Sequence, residues 1–535
     1  MALLRSGSSF HTNFHFFGAV VLAIGIPCST VLMSIGTMIL ALAFILEWNW
    51  KKKLDHLRMN MQLSLPTQKV NGGNVLIPLC LAFFALHLLA LSYSHDLSYA
   101  LNDIRIKLPL LVLPLVLGAR TPFDAKQLRI LLLLYVLTLF VTSIINFLSY
   151  QHILGNRTYD DIRGMSQFGS HIRYGIQIGF AAGLSFYFIR IFSKKWILFW
   201  ILLILWFVFY TYYSQILSGV ISLLISLGMM AFEFLRKRSK KLAIACLTVL
   251  ASLLVIPVVY ILIPVKKTHY SLEKLDKYTA QGNPYTHDLR SDMFAEGKAI
   301  AVYVCEKELR SAWNSRAEVK YDSLDLKGYP VKFTLMRYLT SRDLRKDAEG
   351  VSHLSNNDIH DIEKGIASAA ESKSGLLGRI EGIRYQLHHP DEANGHSLWQ
   401  RIEYWKTGVR ILKKHWFIGV GTGDVQHAFD QQYAADHSRL LPENRHRAHN
   451  SYLTAWISFG IVGFLLFLWM IARFLRIQWR THYFPGLVFI LISIVTFLIE
   501  DSLETQMGVT FFAYFYALFM IPPQEQDPSH PDPSA

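Results

Sequence analysis

Cysteine is scarce in this chain, with four in 535 residues. Cys28, Cys80 and Cys246 lie in apolar runs, and Cys305 stands alone in a long polar segment. That spacing supplies neither a disulfide framework nor a zinc site. Charge is sparse too: Asp, Glu, Lys and Arg make up 17% of the chain, against 52% hydrophobic residues. Strict apolar–polar alternation is missing, which argues against a β-barrel. The first apolar run has only Arg5 before it and no Ala-x-Ala cleavage site, so it is expected to be retained. Gly25-Ile-Pro-Cys28 departs from a lipoprotein box through Pro27.

What is present is a set of continuous apolar runs. A helix needs about 20 residues to cross a hydrocarbon core. The runs give about twelve expected spans: 13–28, 30–48, 74–93, 106–119, 128–148, 174–191, 196–212, 216–234, 242–264, 450–472, 484–499 and 506–522. The fold class expected is therefore an all-α polytopic membrane protein. Gly25, Pro27 and Ser29 favour a hairpin between the first two spans. The fourth span is short and is expected to tilt or re-enter.

The formal charge of +14 does not point to nucleic acid, because the basic residues gather in short loops and set topology. Lys51, Lys52, Lys53, Arg58 and Lys69 follow span two, and Arg120, Lys126 and Arg129 follow span four. Arg190, Lys194 and Lys195 follow span six, and Arg236, Lys237, Arg238, Lys240 and Lys241 follow span eight. Arg473, Arg476 and Arg480 follow span ten. All these exits then face the cytoplasm, as do both termini, and segment 266–448 lies outside. The domain reading is an N-terminal bundle of about nine helices (1–265), a large outer loop domain (266–448) and about three C-terminal spans (449–522). The tail 523–535, rich in Pro, Asp and Ser, is expected to be disordered.

Within the outer segment, Ser355 is expected to cap a helix over 354–370, with Ile359, Ile362 and Ile366 on one face. Ser397 opens a second, with the stripe Leu398, Ile402, Trp405, Val409 and Leu412. This helix either lies in the membrane interface or packs on the span tops. Gly419-Val-Gly-Thr-Gly423 follows. It has no preceding strand and no Lys-Ser/Thr, so a turn returning the chain to the membrane is expected rather than a nucleotide loop.

The densest pattern runs through the same region. Arg401-x3-Trp405 leads to His415-Trp-Phe-Ile-Gly-Val-Gly-Thr-Gly423, then to His449-Asn450-x9-Gly460-x-x-Gly463. Arg445 and Arg447 stand just before the histidine. This order resembles the O-antigen ligase / O-antigen polymerase superfamily of bacterial envelope glycosyltransferases. The stretch Glu500-Asp501-Ser-Leu-Glu504-Thr-Gln506-x-Gly508 is similar to the close of ligase-like proteins from the Bacteroidetes. The resemblance covers 398–520 and extends to the first 265 residues by architecture.

The resemblance implies a GT-C-type fold in the bacterial inner membrane. It implies a glycan donor on undecaprenyl pyrophosphate, an acceptor hydroxyl such as that of lipid A-core, and no metal or cofactor. It carries the family histidine onto His449, one arginine onto Arg401 and the other onto Arg173 in Ser170-His171-Ile-Arg173. Arg173-Tyr-Gly-Ile-Gln177 departs from the family's Arg-x3-Leu element.

These residue types suit the chemistry. Guanidinium groups bind phosphate oxygens bidentately and stabilise charge on a leaving pyrophosphate. An imidazole accepts the proton of an attacking hydroxyl, a contribution of about 10²–10⁴-fold in rate. His449 is the expected base, with Arg401 and Arg173 as clamps and inversion at the anomeric carbon. The alternative is a protonated His449 that neutralises pyrophosphate. Arg163, Arg445 and Arg447 are further phosphate candidates. Asn450 is a good helix cap, Gly460 and Gly463 suit close helix packing, and Trp405 belongs to the motif. Glu500, Asp501 and Glu504 either pair with the arginines, contact the acceptor or are solvated. His87 is expected to be a satisfied buried histidine. The competing activities are a polysaccharide polymerase or protein O-oligosaccharyltransferase of the same superfamily and, from another class, a polysaccharide transporter or flippase. Coupled transport usually places charges at mid-membrane, and the expected span interiors hold almost none.

Overall fold

Lipid offers no partners to a backbone N–H or C=O, so long apolar runs fold as helices. The computed structural model describes residues 2–62, 75–159, 162–263, 266, 268–289, 294–295, 297–369, 375–388 and 397–521. Lys69, Ala370 and the tail 523–535 lie outside the described residues.

The first helices in chain order are α1 (Ala2–Cys28), α2 (Thr30–Leu46), α3 (Trp50–Gln62), α4 (Leu76–Ala90) and α5 (Leu97–Gly118). Then come α6 (Ala125–Tyr150), α7 (His171–Ile191), α8 (Ile197–Ser214), α9 (Leu217–Arg236) and α10 (Lys240–Leu262). A short antiparallel hairpin follows, β1 (Phe294–Ala295) with β2 (Lys298–Ala299). After it stand α11 (Glu306–Arg316), α12 (Val331–Ser341), α13 (Ala348–Ser352), α14 (Asn356–Glu363) and α15 (Gly375–His388). The chain continues through α16 (Ser397–His415), α17 (Val425–Ala435), α18 (Ser451–Thr481), α19 (Phe484–Ile499) and α20 (Gln506–Phe519).

Five segments are long and apolar enough to cross a membrane: Leu76–Tyr93, Ala125–Tyr150, Lys194–Ser214, Leu217–Arg236 and Ser451–Thr481. A sixth results if α2 and α3, bent by 116°, count as one broken span. Shorter apolar helices are Thr12–Cys28, Phe484–Ile499 and Gln506–Phe519. The protein is thus a helical, multi-pass membrane protein.

The chain divides into two compact units, 1–250 with 401–535, and 251–400. Of the expected outer segment 266–448, residues from Arg401 onward cluster with the apolar helices. In the smaller unit, Leu309, Trp313, Leu335, Tyr338, Val351 and Ile362 form a core of their own, with Cys305 buried. Ser355 caps α14 through a capping box with Asp358. That helix is shorter than expected, because Gly365 turns the chain at φ +78°.

In the larger unit, α1 and α2 form the expected hairpin. Ser29 accepts from Leu32 N at 3.4 Å, and a Cβ on Gly36 would fall 2.7 Å from Leu22. The expected fourth span, which already held Lys107, starts early, at Leu97, and so takes in Asp103 and Arg105 as well. Asp103 and Lys107 are buried, and Lys107 Nζ lies 2.7 Å from Asp103 Oδ2. Hydropathy sees three charges there, Arg105 included, whereas the fold pairs Asp103 with Lys107 and leaves Arg105 exposed. His87 is buried as expected, with Nδ1 3.0 Å from Phe83 O. From Met507 to Phe519, α20 is buried at every position. Phe489 of α19 packs its ring against Phe511, Phe512, Phe515 and Phe519. Aromatic pairs of this kind each add about 0.5–1.5 kcal/mol beyond burial.

The motif glycine Gly460 breaks α18, with φ +64° and ψ −164°. The Gly-rich loop 419–423 docks into the break as the expected returning turn. Val420 N donates to Ile457 O at 2.8 Å, Gly421 N to Ser458 O at 3.0 Å, and Ile461 N to Trp416 O at 2.9 Å. A Cβ on Gly460 would sit 1.9 Å from Phe417 O. Gly460 thus admits backbone rather than a neighbouring helix. Gly463 sits against Phe459 of its own helix, whose Cβ would lie 2.2 Å from an added methyl.

Gly460→Ala is expected to lower the apparent melting temperature of the detergent-solubilised protein. The backbone strain alone costs about 1–3 kcal/mol, before the collision with Phe417. An unchanged melting curve would contradict this account of the break.

Candidate functional site

The turn between α19 and α20 is short, and its acids do not reach solvent. Glu500, Asp501 and Glu504 are all buried or nearly so. Each faces a different partner set, and together they gather residues from five segments.

Glu500 is the centre. Its Oε1 accepts from Arg173 Nη2 at 3.3 Å. Its Oε2 lies 3.6 Å from Arg401 Nη2 and 3.8 Å from His449 Nδ1. Arg173 stands on the first turn of α7, and Arg401 on α16. Burial opposes ionisation of Glu500, but His449, Arg173 and Arg401 outweigh it and hold its pKa below the ordinary value. The contacts are long and single. Neither guanidinium forms a bidentate fork with the carboxylate, so each keeps donors for another anion. Arg173 Nε is buried without a hydrogen-bond partner.

His449 has φ +47°, a left-handed conformation uncommon in a non-glycine residue. Several neighbours impose it. Trp405 Nε1 donates to Ala448 O at 2.9 Å. Asn450 N donates to Asp501 Oδ1 at 3.0 Å, and the Asn450 side chain caps α18 by accepting from Leu453 N at 3.0 Å. Thr454 donates to the same Asp501 oxygen at 2.8 Å. The imidazole stacks on Tyr404 at 5.6 Å and stays 35% exposed. Nδ1 is buried toward Glu500 with no hydrogen bond shorter than that 3.8 Å contact.

Glu504 organises a second layer. Its carboxylate receives Lys107 Nζ at 2.8 Å and Arg447 Nη1 at 2.9 Å. Asp103, the other partner of Lys107, accepts from Thr422 Oγ1 of the Gly-rich loop at 2.5 Å. Asp424, just beyond that loop, accepts from the backbone N–H groups of His95 and Asp96. The loop is thereby tied to α5, and α5 to the segment that carries His449.

Arg173, Arg401 and His449 therefore meet at one carboxylate. The other expected phosphate ligands do not join them. Arg447 is committed to Glu504. Arg445 folds its own loop, donating to Leu440 O at 3.0 Å and Ser438 O at 3.4 Å. Arg163 lies on the turn Ile162–Met165 before α7. The expected apolar stripe of α16 only partly coincides with its buried face. Tyr404, Thr407, Gly408, Ile411 and Leu412 are buried, while Trp405 and Val409 are exposed. Beside Arg173, a cleft of about 380 Å³ runs between α7, α19 and α20, lined by Gln177, Ile492, Phe497, Met507 and Phe511 among others. The sequence named Glu500 without choosing its role. The signal available was its place beside the Gln506-x-Gly508 element.

Glu504 also gives a pH signature. Burial opposes its ionisation, but Lys107 and Arg447 prevail and hold its pKa far below the ordinary value. A carboxyl depressed in the folded state adds stability above its unfolded pKa of about 4.3, lost as pH falls through the folded value. Glu504→Gln leaves the buried Arg447 without its carboxylate and Lys107 with Asp103 alone, and is expected to cost about 3–5 kcal/mol at pH 7. In thermal melts the gap from wild type should narrow as pH drops below about 4. A gap independent of pH would refute the ion-pair account.

Among curated proteins, none matches the chain. Residues 357–468, which span Arg401, Trp405, the Gly-rich loop, His449 and the Gly460 break, match the family model described as O-Antigen ligase. That match supports membership of the chain in the O-antigen ligase superfamily.

Proposed function

We propose that the protein moves a glycan from undecaprenyl pyrophosphate to an acceptor hydroxyl, with lipid A-core as the acceptor. It does so at the outer face of the bacterial inner membrane, as a GT-C-type bundle of about twelve spans with both termini cytoplasmic. The observation that carries this reading is the convergence of Arg173, Arg401 and His449 on Glu500. Two guanidinium groups against one carboxylate leave a net positive charge, which suits a diphosphate. The basic residues after α2 and α5, at and just beyond the ends of α7 and α9, and in the last turns of α18 support the orientation. The exposed Val409, Trp416, Phe417 and Ile418 support an interfacial seat for α16.

The reaction is a direct displacement. The acceptor oxygen attacks the anomeric carbon, and the bond from that carbon to the phosphate oxygen breaks. The electron pair leaves with the lipid pyrophosphate, whose growing charge Arg173 and Arg401 stabilise. The hydroxyl proton passes to His449 Nε2, the nitrogen turned away from Glu500. Glu500 faces Nδ1 and stabilises the imidazolium, as a carboxylate does for a base histidine. The anomeric configuration inverts.

His449→Gln is expected to lower the transfer rate by about 10²–10⁴-fold and to abolish the fall in rate on the acid side of the wild-type pH profile. Glu500→Gln removes a negative charge 3.8 Å from the imidazole, so the acid limb should move to lower pH. A limb that stays in place, or a His449→Gln profile like wild type, would sink the base assignment. In cells, deleting the gene is expected to strip polysaccharide from lipid A while lipid-linked precursor accumulates. Chains of a single repeat would point to a polymerase instead.

A further inference from the structure

The far end of the larger unit holds a second cationic site. Arg120 follows α5 and is 9% exposed, yet its Nη1 has no hydrogen-bond partner. Among the described residues, no carboxylate lies within ion-pair distance of its guanidinium. The site is built rather than incidental. Asn60 of α3, fully buried, donates to Gly118 O at 2.7 Å and Arg120 O at 3.0 Å, which fixes the backbone. Phe123 covers the guanidinium at 4.1 Å. What remains open is a cleft of about 370 Å³. Its lining beyond Arg120 is mainly apolar, including Leu117, Leu128, Leu518 and Ile521.

The charge around it does not balance. Glu47 is the carboxylate whose field reaches Arg120, and it also faces His15 at 3.6 Å and Lys53. Lys53 is buried and stacked on Phe44 and Trp50. One acid thus serves two permanent cations. An uncompensated buried charge is strongly unfavourable, and this one opens onto a cleft whose other lining side chains, Thr121 apart, are apolar.

We propose that this cleft binds the phosphate of an anionic glycerophospholipid, with Arg120 on the phosphate and an acyl chain along Leu117, Leu128, Leu518 and Ile521. The neighbouring Lys126 and Arg129 and the exposed Lys51, Lys52 and Trp48 of the α2–α3 bend suit the headgroup region of such a leaflet. Assigning that leaflet to the cytoplasmic side rests on the orientation proposed above. The binding itself does not, and neither donor binding nor glycan transfer is needed to detect it.

The test uses the full-length protein in neutral detergent, with native mass spectrometry and thermal melts. Dioleoyl-phosphatidylglycerol is compared with dioleoyl-phosphatidylcholine and with inorganic phosphate. Wild type is expected to retain phosphatidylglycerol and to melt higher with it, while phosphatidylcholine and millimolar phosphate do neither. Arg120→Gln is expected to weaken retention at least tenfold. Ile521→Trp, which keeps the guanidinium but fills the apolar side, is expected to do the same, and this protects the result against misfolding of the first variant. Equal retention by wild type and both variants would overturn the proposal. So would displacement of the lipid by inorganic phosphate, which would mark a small-anion site. Retention that appears only after removal of residues 523–535 would also overturn it, since Glu525, Asp527 and Asp532 of the tail would then be the occupants.

Discussion

One buried carboxylate, shared by three side chains from different helices, is the constraint on which the rest depends. Glu500 is almost wholly removed from water, so its charge must be met. Arg173, Arg401 and His449 meet it, and none of them does so at full hydrogen-bonding strength. The cluster is held together and yet is unsaturated. That is the condition for pre-organised binding of a second, larger anion: the donors are aligned beforehand, and little reorganisation is left for the moment of reaction.

The surrounding architecture maintains that balance. The break at Gly460 lets the loop 416–421 enter α18, which holds α16 and its Arg401 against the segment that carries His449. Glu504 fastens Arg447 and Lys107, and Lys107 fastens Asp103 and through it Thr422. Asp501 and Trp405 fix the peptide groups on either side of His449, whose left-handed backbone would not persist unsupported. The turn 500–504 thus supplies three carboxylates with separate duties: one at the site, one to the backbone after His449 and one to the ion-pair layer behind it.

Much of this was legible in the sequence. Continuous apolar runs gave the helical membrane class, and the spacing His449-Asn450-x9-Gly460-x-x-Gly463 singled out the histidine. Other parts were not legible, for physical reasons. An acid in a short loop reads as solvated until the fold buries it, so Glu500 could be named but not placed. Asp103 and Arg105 hid the start of α5, because hydropathy counts Asp103 as a charge without seeing that Lys107 pairs with it in the interior. Arg445 and Arg447 drew attention by standing next to His449, but neighbours in sequence point different ways in a loop, and both are spent on structure. The stripe Leu398–Leu412 fitted an interfacial helix or one packed on the span tops, and sequence alone could not say which of its members the fold would cover: Leu412 is buried, whereas Trp405 and Val409 are exposed. The boundary at 400/401 falls within α16, where no change of composition marks it.

The central claim is that Arg173 and Arg401 act on the diphosphate of a lipid carrier. Binding of a short-chain polyprenyl pyrophosphate to the purified protein, compared among wild type, Arg173→Gln and Arg401→Gln, tests it most directly, because no transfer is required. The account predicts at least a tenfold loss of affinity for each arginine, with the corresponding polyprenol binding weakly to all three proteins. Equal affinity for the pyrophosphate in wild type and both variants would contradict it.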